Sequence, residues 1–591
     1  MGTAVRVRTA RRVVAGVEAR RAIDHERLAA RVHYATLLLA YPLLLWLGRS
    51  TFFRHDEWRI VLGHTGAGSQ PWDVFAPFDI HWSTAVVLIY RAVGAVAGSS
   101  SYLPYLGVSL AVHVVASHLL WRVLLRCGAD RWIATGLVAA FLVLGAGWEA
   151  LYWVLSLTST LPLALVLGAA LIADRAARGG RAGGLQPAEE GAGRGRICLP
   201  RLGARLSAPV TMLTLLAVMS GGPGVAMLVI PALVGLQRGG PRRAVSLVAP
   251  AAGVYVLWLA LAGSAILHHP GTTSGGGAVA GFVWDGLTAS MATMLGPAAL
   301  GVAALLGLGA WMAVRAHARA LPPLIPACAV GAVAVFALTA LGRGNGGDAT
   351  TSHYLYAGIG LLLPGAALAL TDLVRRLRLP RTALLAGLGV VVAHSGAMLA
   401  LDADALTHDD QASRSLLLAA ARLSQDGTAL PDSVPEPILG WAVSTADVER
   451  LRAQDVLVPP AALDPAVAAE VSLRIHVAVS ATRIAGAGEA PQVSGIDGGT
   501  LSTAPAGCVV AAPSSANGFT VSVAYAQPGA LHVEAVTPTL LQVYLRGTPQ
   551  APADEAAKVL IAPGDAQWVD AALPGTTLVL RVPTGSVRLC S

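Results

Sequence analysis

The stretch HYATLLLAYPLLLWLGRSTFFRHDEWRI, His33 to Ile60, decides how the rest of the chain is read. Its first half, His33 to Leu47, is apolar and, with its flanks, long enough to enter a membrane, where a helix needs about 20 residues to cross the hydrocarbon. Its second half leaves the lipid through an acidic pair, Asp56 and Glu57, set among Arg54, His55 and Arg59. Ahead of it, residues 1–32 hold eight arginines against Glu18, Asp24 and Glu26. No small-residue cleavage site follows Leu47 and many apolar runs come after, so this basic arm reads as the cytoplasmic start of an uncleaved anchor.

Composition agrees. With 591 residues, 54% hydrophobic and only 13% charged, and a mean hydropathy of +0.61, the chain is too apolar for an ordinary soluble protein. A formal charge of +8 raises nucleic acid as a partner, but the 42 basic residues include one lysine, Lys558, and the arginines sit in short segments between apolar runs. That is the charge pattern of membrane topology, and it excludes a nucleic-acid partner.

Apolar spans fall at 33–49, 102–125, 132–147, 151–172, 207–220, 222–237, 244–266, 291–314, 321–341, 354–371 and 382–400. Of the segments between them, Arg126–Arg131, Asp174–Arg205, Arg238–Arg243, Arg315–Arg319 and Arg375–Arg381 bear arginine. The alternate segments, 50–101, 148–150, 220–222, 267–290 and 342–353, are rich in Gly, Ser, Thr, His and Asp. The expected fold is therefore mostly α: a multi-pass plasma-membrane protein with about eleven transmembrane helices over 33–400, N-terminus inside, and everything beyond about Leu401 outside. Within the first outer loop, 50–101, Trp82 to Ala97 reads as an amphipathic helix lying in the interface. Asp174 to Arg205 reads as a cytoplasmic linker.

Beyond Leu401 the texture changes. Residues 401–500 read as a helical and linker region, with helices over Gln411–Leu423, Ala446–Ala453 and Pro465–Ser480. Residues 501–591 carry short β-rich runs, FTVSVAYA, ALHVEAV, LLQVYLRG, TTLVLRV and SVRLC, and read as a small β-sandwich. Cys508 and Cys590 bracket that region on the oxidising side, which predicts a disulfide, whereas Cys127, Cys198 and Cys328 fall in spans or cytoplasmic segments. The run DADALTHDDQ, Asp402 to Gln411, lacks the glycine and terminal Glu of a calcium loop and reads as a solvated start to the outer region.

Few residues have the means for chemistry. Asp56 and Glu57 share their loop with Asp73, Asp79, His81 and Trp82; the bland reading is a solvated loop end balanced by Arg54 and Arg59. Glu149, in GWEALYW, stands beside Trp148 and Trp153 at a span end, where an acid is costly unless paired or wet. His113 and His118 are five residues apart, off the one-turn face of a metal pair, and read as helix packing or an interhelical hydrogen bond. No zinc-ligand spacing occurs.

An acidic pair just after the first span, an interfacial helix in that loop, about eleven spans and an outer C-terminal region together resemble the GT-C superfamily of polyprenyl-phosphate-sugar-dependent glycosyltransferases. More locally, HDEW, DIHWSTAVVLIYRAVGAVAGSSSYLPYLGVSLAVHVVASHLLWRVL, GAGWEALYW, MSGGPGVAMLVIPALVGL and ATTSHYLYAGIGLLLP are similar to a group of actinobacterial membrane proteins of this architecture. The resemblance covers residues 33 to about 400. It implies an enzyme whose outer-loop carboxylate, here Asp56 with Glu57 beside it, acts as general base or orients a divalent metal ion. An acceptor hydroxyl must lose its proton as it attacks the anomeric carbon, and a partly desolvated carboxylate accepts it. The polyprenyl phosphate leaving group is an anion that needs cationic or hydrogen-bonding partners, for which Arg343 and His353 are the candidates. His55, His81, Trp82, Glu149 and Tyr354 complete the expected contacts. The implied partners are a polyprenyl-phosphate-linked sugar donor, an envelope glycan or protein acceptor, and the lipid bilayer.

Two other readings stand beside the enzyme. A transporter of lipid-linked sugar would place ionisable residues near the bilayer midplane, and the spans are nearly free of Asp, Glu and Lys there. A catalytically silent anchor, holding its outer region against envelope glycan, fits the same composition.

Overall fold

A computed structural model of the chain describes residues 2–54, 56–62, 74–78, 81–182, 201–263, 276–343, 348–426, 445–454, 456–457, 477–480 and most of 492–590. It divides into two compact units, Met1–Thr51 with Gly63–Gly98 and Tyr102–Thr407, and Phe52–Leu62 with Ser99–Ser101 and His408–Ser591.

The first unit is helical, because apolar runs that meet lipid must satisfy every backbone N–H and C=O within their own segment. Its helices are α1 (Gly2–Leu47), α3 (Thr84–Ala97), α4 (Leu103–Arg126), α5 (Arg131–Leu142), α6 (Trp148–Tyr152), α7 (Leu157–Ala182), α8 (Arg201–Val218), α9 (Gly222–Met227), α10 (Val229–Gly239), α11 (Pro241–Leu261), α12 (Gly276–Leu295), α13 (Ala298–His317), α14 (Leu324–Arg343), α15 (Ser352–Leu377) and the first part of α16 (Arg381–Gln425); α2 (Glu57–Val61) belongs to the second unit. Among the described residues, nine helices are long and apolar enough to cross a membrane, or ten if the bent pair α5–α6 counts as one span.

The count differs from eleven for local reasons. The expected spans over 207–220 and 222–237 are α8, α9 and α10, broken at Ser220–Gly221 and between Met227 and Val229. The expected loop over 267–290 instead contains most of α12, whose only charge is Asp285 and whose Gly, Ala, Thr and Ser dilute the apolar signal. Phe282 of α12 meets Tyr354 of α15, and Ser290 lies where a side chain on Gly358 would stand. Eight residues of α12, about 12 Å, thus advance only four residues, about 6 Å, along α15, so α12 crosses α15 obliquely. Of the stretch Trp82–Ala97 expected to be helical, Thr84–Ala97 is helical as α3.

At the far end of the bundle from Ser352, charge is buried in pairs. Asp174 of α7, fully buried, accepts from Arg126 Nε at 2.6 Å and Arg238 Nε at 2.9 Å, tying α4, α7 and α10 together. A lone buried carboxylate would be prohibitive, and two guanidinium partners from neighbouring helices make it tolerable. Asp372 of α15 is held the same way by Arg315 and the Trp311 indole of α13. The histidines of α4 find partners as expected: His113 bonds the Tyr356 hydroxyl and Leu142 O, and His118 bonds His33.

The second unit opens with α2, the last turns of α16 and α17 (Thr445–Ala453), followed by eleven strands. Six form one antiparallel sheet in the order β1 (Val477–Ser480), β9 (Ala566–Ala571), β6 (Gly529–Ala535), β11 (Val587–Cys590), β4 (Val509–Pro513), β3 (Gly499–Thr503). The other five run β2 (Gln492–Asp497), β5 (Phe519–Tyr525), β10 (Thr576–Val582), β7 (Thr539–Arg546), β8 (Glu555–Ile561). Alternation decides which residues go inside: Phe519, Val521, Val523 and Tyr525 of β5 are buried with Val533, Val569, Val587 and Leu589 of the other sheet in one cluster. Cys508 and Cys590 form a disulfide beside the β4–β11 pair, and Cys127 and Cys328 are buried free thiols. Strands begin at Val477, so the expected helix over Pro465–Ser480 ends in a strand; its earlier residues, like residues 183–200 of the expected linker, lie outside the described residues, while 174–182 and 201–205 of that linker are helical in α7 and α8.

Candidate functional site

Glu149 sits where the α5–α6 span breaks. After α5 the chain turns through Gly145–Gly147 and bends by 50° into α6. A side chain on Gly145 would stand 2.5 Å from Met398 Cβ and 3.0 Å from Ser395 O, so the break closes against α16 only because this residue has none. The bend delivers Glu149 to the start of α15. Its Oε2 accepts from His353 Nδ1 at 2.8 Å and from the His353 backbone N–H at 3.4 Å, while its own N–H donates to Ser352 Oγ at 3.1 Å. A carboxylate there satisfies an unbonded N–H of the first turn and opposes the helix dipole. The His353 ring is flanked by Trp153 and Tyr354, with ring centroids 5.9 and 4.1 Å away.

Beside Glu149 opens a chamber of about 620 Å³ whose lining includes Trp148, Glu149, Asp348, Thr350, Ser352, His394 and Asp402, but not His353. The Thr350 hydroxyl, at 2.7 Å, and its N–H, at 2.8 Å, both donate to Asp348 Oδ1 and hold that carboxyl below the usual range. Three helices that line this chamber, α12, α15 and α16, also line a separate apolar groove of about 820 Å³. On α16, Leu384 and Leu388 line the groove and His394 and Asp402 the chamber; on α15, Ile359 and Leu370 line the groove and Ser352 the chamber. At the end of α12, Met291 and Met294 face the groove while Thr293 faces the chamber. Gly307 and Trp311 of α13 complete the groove.

In the second unit, the acidic pair divides. Glu57 is fully buried and its Oε2 accepts from the Arg54 N–H at 2.8 Å. Asp56 is half-buried, its side chain 32% exposed and 4.0 Å from the Arg59 guanidinium. Phe52, Phe53 and Trp58 pack ring to ring below them, with centroids 5.5 to 5.6 Å apart.

The remaining expected residues fare differently. Trp82 is not an open platform for a sugar: it is buried, its ring stacks on Trp258 at 5.0 Å and 4°, and its indole donates to Thr84 Oγ1 at 2.7 Å. Hydrophobic cover from Val218 and Ala251 draws it inward, a burial that loop position does not reveal. His81 is half-buried, and its ring lies 3.1 Å from where a side chain on Gly222 would begin. Tyr354 is buried. Arg343 ends α14 and its side chain lies outside the described residues, as do His55, Asp73 and Asp79. Asp402 and Asp410, expected in a solvated run, are instead a chamber wall and a buried side chain. Helical spacing is the signal that marks them: Asp402 and Asp410 stand one turn before and one turn after Leu406, which is buried.

Among the described residues, no group of three or more His, Cys, Asp or Glu is placed to hold a metal ion. Compared with models of known families, with curated proteins and with solved structures, the chain matches none.

Proposed function

We propose that this protein is a membrane glycosyltransferase that moves a sugar from a polyprenyl-phosphate-linked donor to an extracytoplasmic envelope acceptor. The observation that supports this reading is that α12, α15 and α16 each line both an apolar groove and, nearer the start of α15, a chamber that holds hydroxyl and carboxylate groups. A ligand that satisfies both parts is a long apolar chain with a polyhydroxylated head, because the groove offers almost no hydrogen-bonding groups and the chamber offers many. In this reading the chamber, the acid pair and the C-terminal β-sandwich face outward.

Asp56 is assigned the general base. It is the more exposed member of the pair, so its carboxylate is the one an acceptor hydroxyl can reach. Glu57 is assigned a supporting role in shaping the loop. Glu149 and His353 are assigned to the donor's head. The phosphate contact is reserved for Arg343, because a carboxylate on His353 weakens that imidazole as an anion partner unless it is protonated.

The test is sugar transfer from polyprenyl-phosphate donors in membranes holding equal amounts of each folded variant. Asp56→Asn keeps size and hydrogen bonding but cannot accept a proton, so transfer should fall by a factor on the order of 10² to 10⁴. Unchanged transfer in that variant would remove Asp56 from the mechanism. Absence of transfer by the native chain across a panel of donors, with glycan binding retained, would favour the silent anchor; donor movement across vesicles would favour the transporter.

A further inference from the structure

The Phe52–Leu62 segment belongs to the same compact unit as residues 408–457, although its partner Asp410 lies 358 residues further along the chain. The join is made at both ends of the segment. At its start, the Phe52 N–H donates to Asp410 Oδ2 at 3.1 Å, and Arg54 Nε lies 3.5 Å from Asp410 Oδ1. At its end, Arg450 Nη1 donates to Leu62 O at 3.1 Å. Arg414, one turn beyond Asp410, lays its guanidinium over the Phe52 ring at 4.9 Å.

Asp410 is the unusual member of this set. Its neighbour Asp409 is exposed, as an acid on a helix beyond the lipid ought to be, whereas the Asp410 side chain is only 3% exposed. Burying a carboxylate is costly unless both oxygens are engaged, and here the acid-pair segment engages both. The same Arg54 that meets Asp410 through its side chain gives its backbone N–H to Glu57. Asp410 and Glu57 therefore grip one residue from two directions, two positions before Asp56.

We propose that Asp410 is a positioning residue: by holding Phe52 and Arg54 it keeps Glu57 inside and presents Asp56 outward. The C-terminal region is then part of the apparatus that sets the acid pair rather than a module appended to the bundle. The consequence for turnover rests on Asp56 being the working carboxylate; the positioning itself does not.

A nitroxide spin label at position 56, introduced as Asp56→Cys in a Cys198→Ser background of the full chain in lipid vesicles, reads the segment directly. Its spectrum resolves a docked, immobile component and a released, mobile one. Asp410→Asn keeps an acceptor for the Phe52 N–H but loses the charge toward Arg54, and should lower the docked-to-released ratio on the order of tenfold. Asp410→Ala loses both and should lower it roughly a hundredfold. Asp426→Asn, in an exposed Arg422–Asp426 pair on the same helix, should leave the ratio unchanged. An intact Cys508–Cys590 bridge certifies the fold of each variant. Should Asp410→Ala fail to accumulate, Asp410→Asn alone decides.

With Asp56 restored, Asp410→Asn should depress the turnover number for sugar transfer while leaving the donor KM near its native value, a split that a general loss of fold does not produce. A spin-label ratio equal to the parent in both folded Asp410 variants overturns the proposal. Loosening of the label without any transfer activity in the native chain retires the glycosyltransferase reading and leaves the positioning role standing.

Discussion

The carboxylate of Glu149 accepts a 2.8 Å hydrogen bond from Nδ1 of His353, 204 residues away in sequence, and so joins the broken span α5–α6 to the first turn of α15. If this contact organises the chamber, the two side chains should be energetically coupled. Glu149→Ala is expected to cost about 1 to 2 kcal/mol, as the loss of a helix cap does. The double variant with His353→Ala should then cost less than the sum of the singles by roughly 1 kcal/mol. Denaturant unfolding of the purified proteins measures the cycle, and strict additivity would deny the pair.

Gly307 lines the apolar groove, and nothing lies within 4 Å of where its side chain would begin. Gly307→Leu should therefore fold at least as well, since leucine is the better helix former, while filling part of the groove. Under the proposed function the KM for long-chain polyprenyl donors is expected to rise roughly tenfold, with truncated-chain donors little affected. Equal effects on long and short donors would mean the groove does not hold the chain.

The Asp348 carboxyl is held below its usual range first by the Thr350 hydroxyl and then by the Thr350 N–H. A depressed carboxylate contributes stability that is fully present above its unfolded pKa of about 3.9 and is lost as pH falls through the folded value. Thr350→Val removes the hydroxyl and keeps the N–H, so the folded value should rise toward the ordinary one. Acid unfolding of the bundle should then begin at higher pH than in the native chain. Superimposable acid-unfolding curves would show that the hydroxyl does not hold this carboxyl.

Asp174 is fully buried between Arg126 and Arg238. Asp174→Asn leaves two guanidinium groups facing an uncharged amide, and breaking a buried pair in this way costs about 3 to 5 kcal/mol. Thermal unfolding in detergent should show the loss, with transfer activity per folded molecule unchanged. A loss under about 1 kcal/mol would mean that the arginines turn outward to water instead.

Leu103–Arg126, Leu324–Gly342 and Ser352–Leu377 announce themselves, because about 20 apolar residues in a row have one stable form in lipid, and that form is decided locally. The strands of the C-terminal region are equally local, their alternation matching the two faces of a pleated sheet. Cys508 and Cys590 were legible as a pair because no other cysteines share their side of the expected topology. Helix α12 was not, since its small polar residues resemble a loop until Phe336 and Gly358 supply the surface on which it packs.

The division between the two sources of information is sharpest at the acids. Sequence by itself determined that Asp56, Glu57, Glu149 and Asp410 lie at the ends of apolar runs, because charge is expelled from hydrocarbon wherever the chain permits. That Glu57 and Asp410 are buried, that Asp56 is half-buried and that Glu149 meets His353 are set by tertiary packing alone. The reason is that a carboxylate's environment is set by the donors brought to it. For Glu149 and Asp410 those donors arrive from helices and loops more than 200 residues away, where no local pattern reaches.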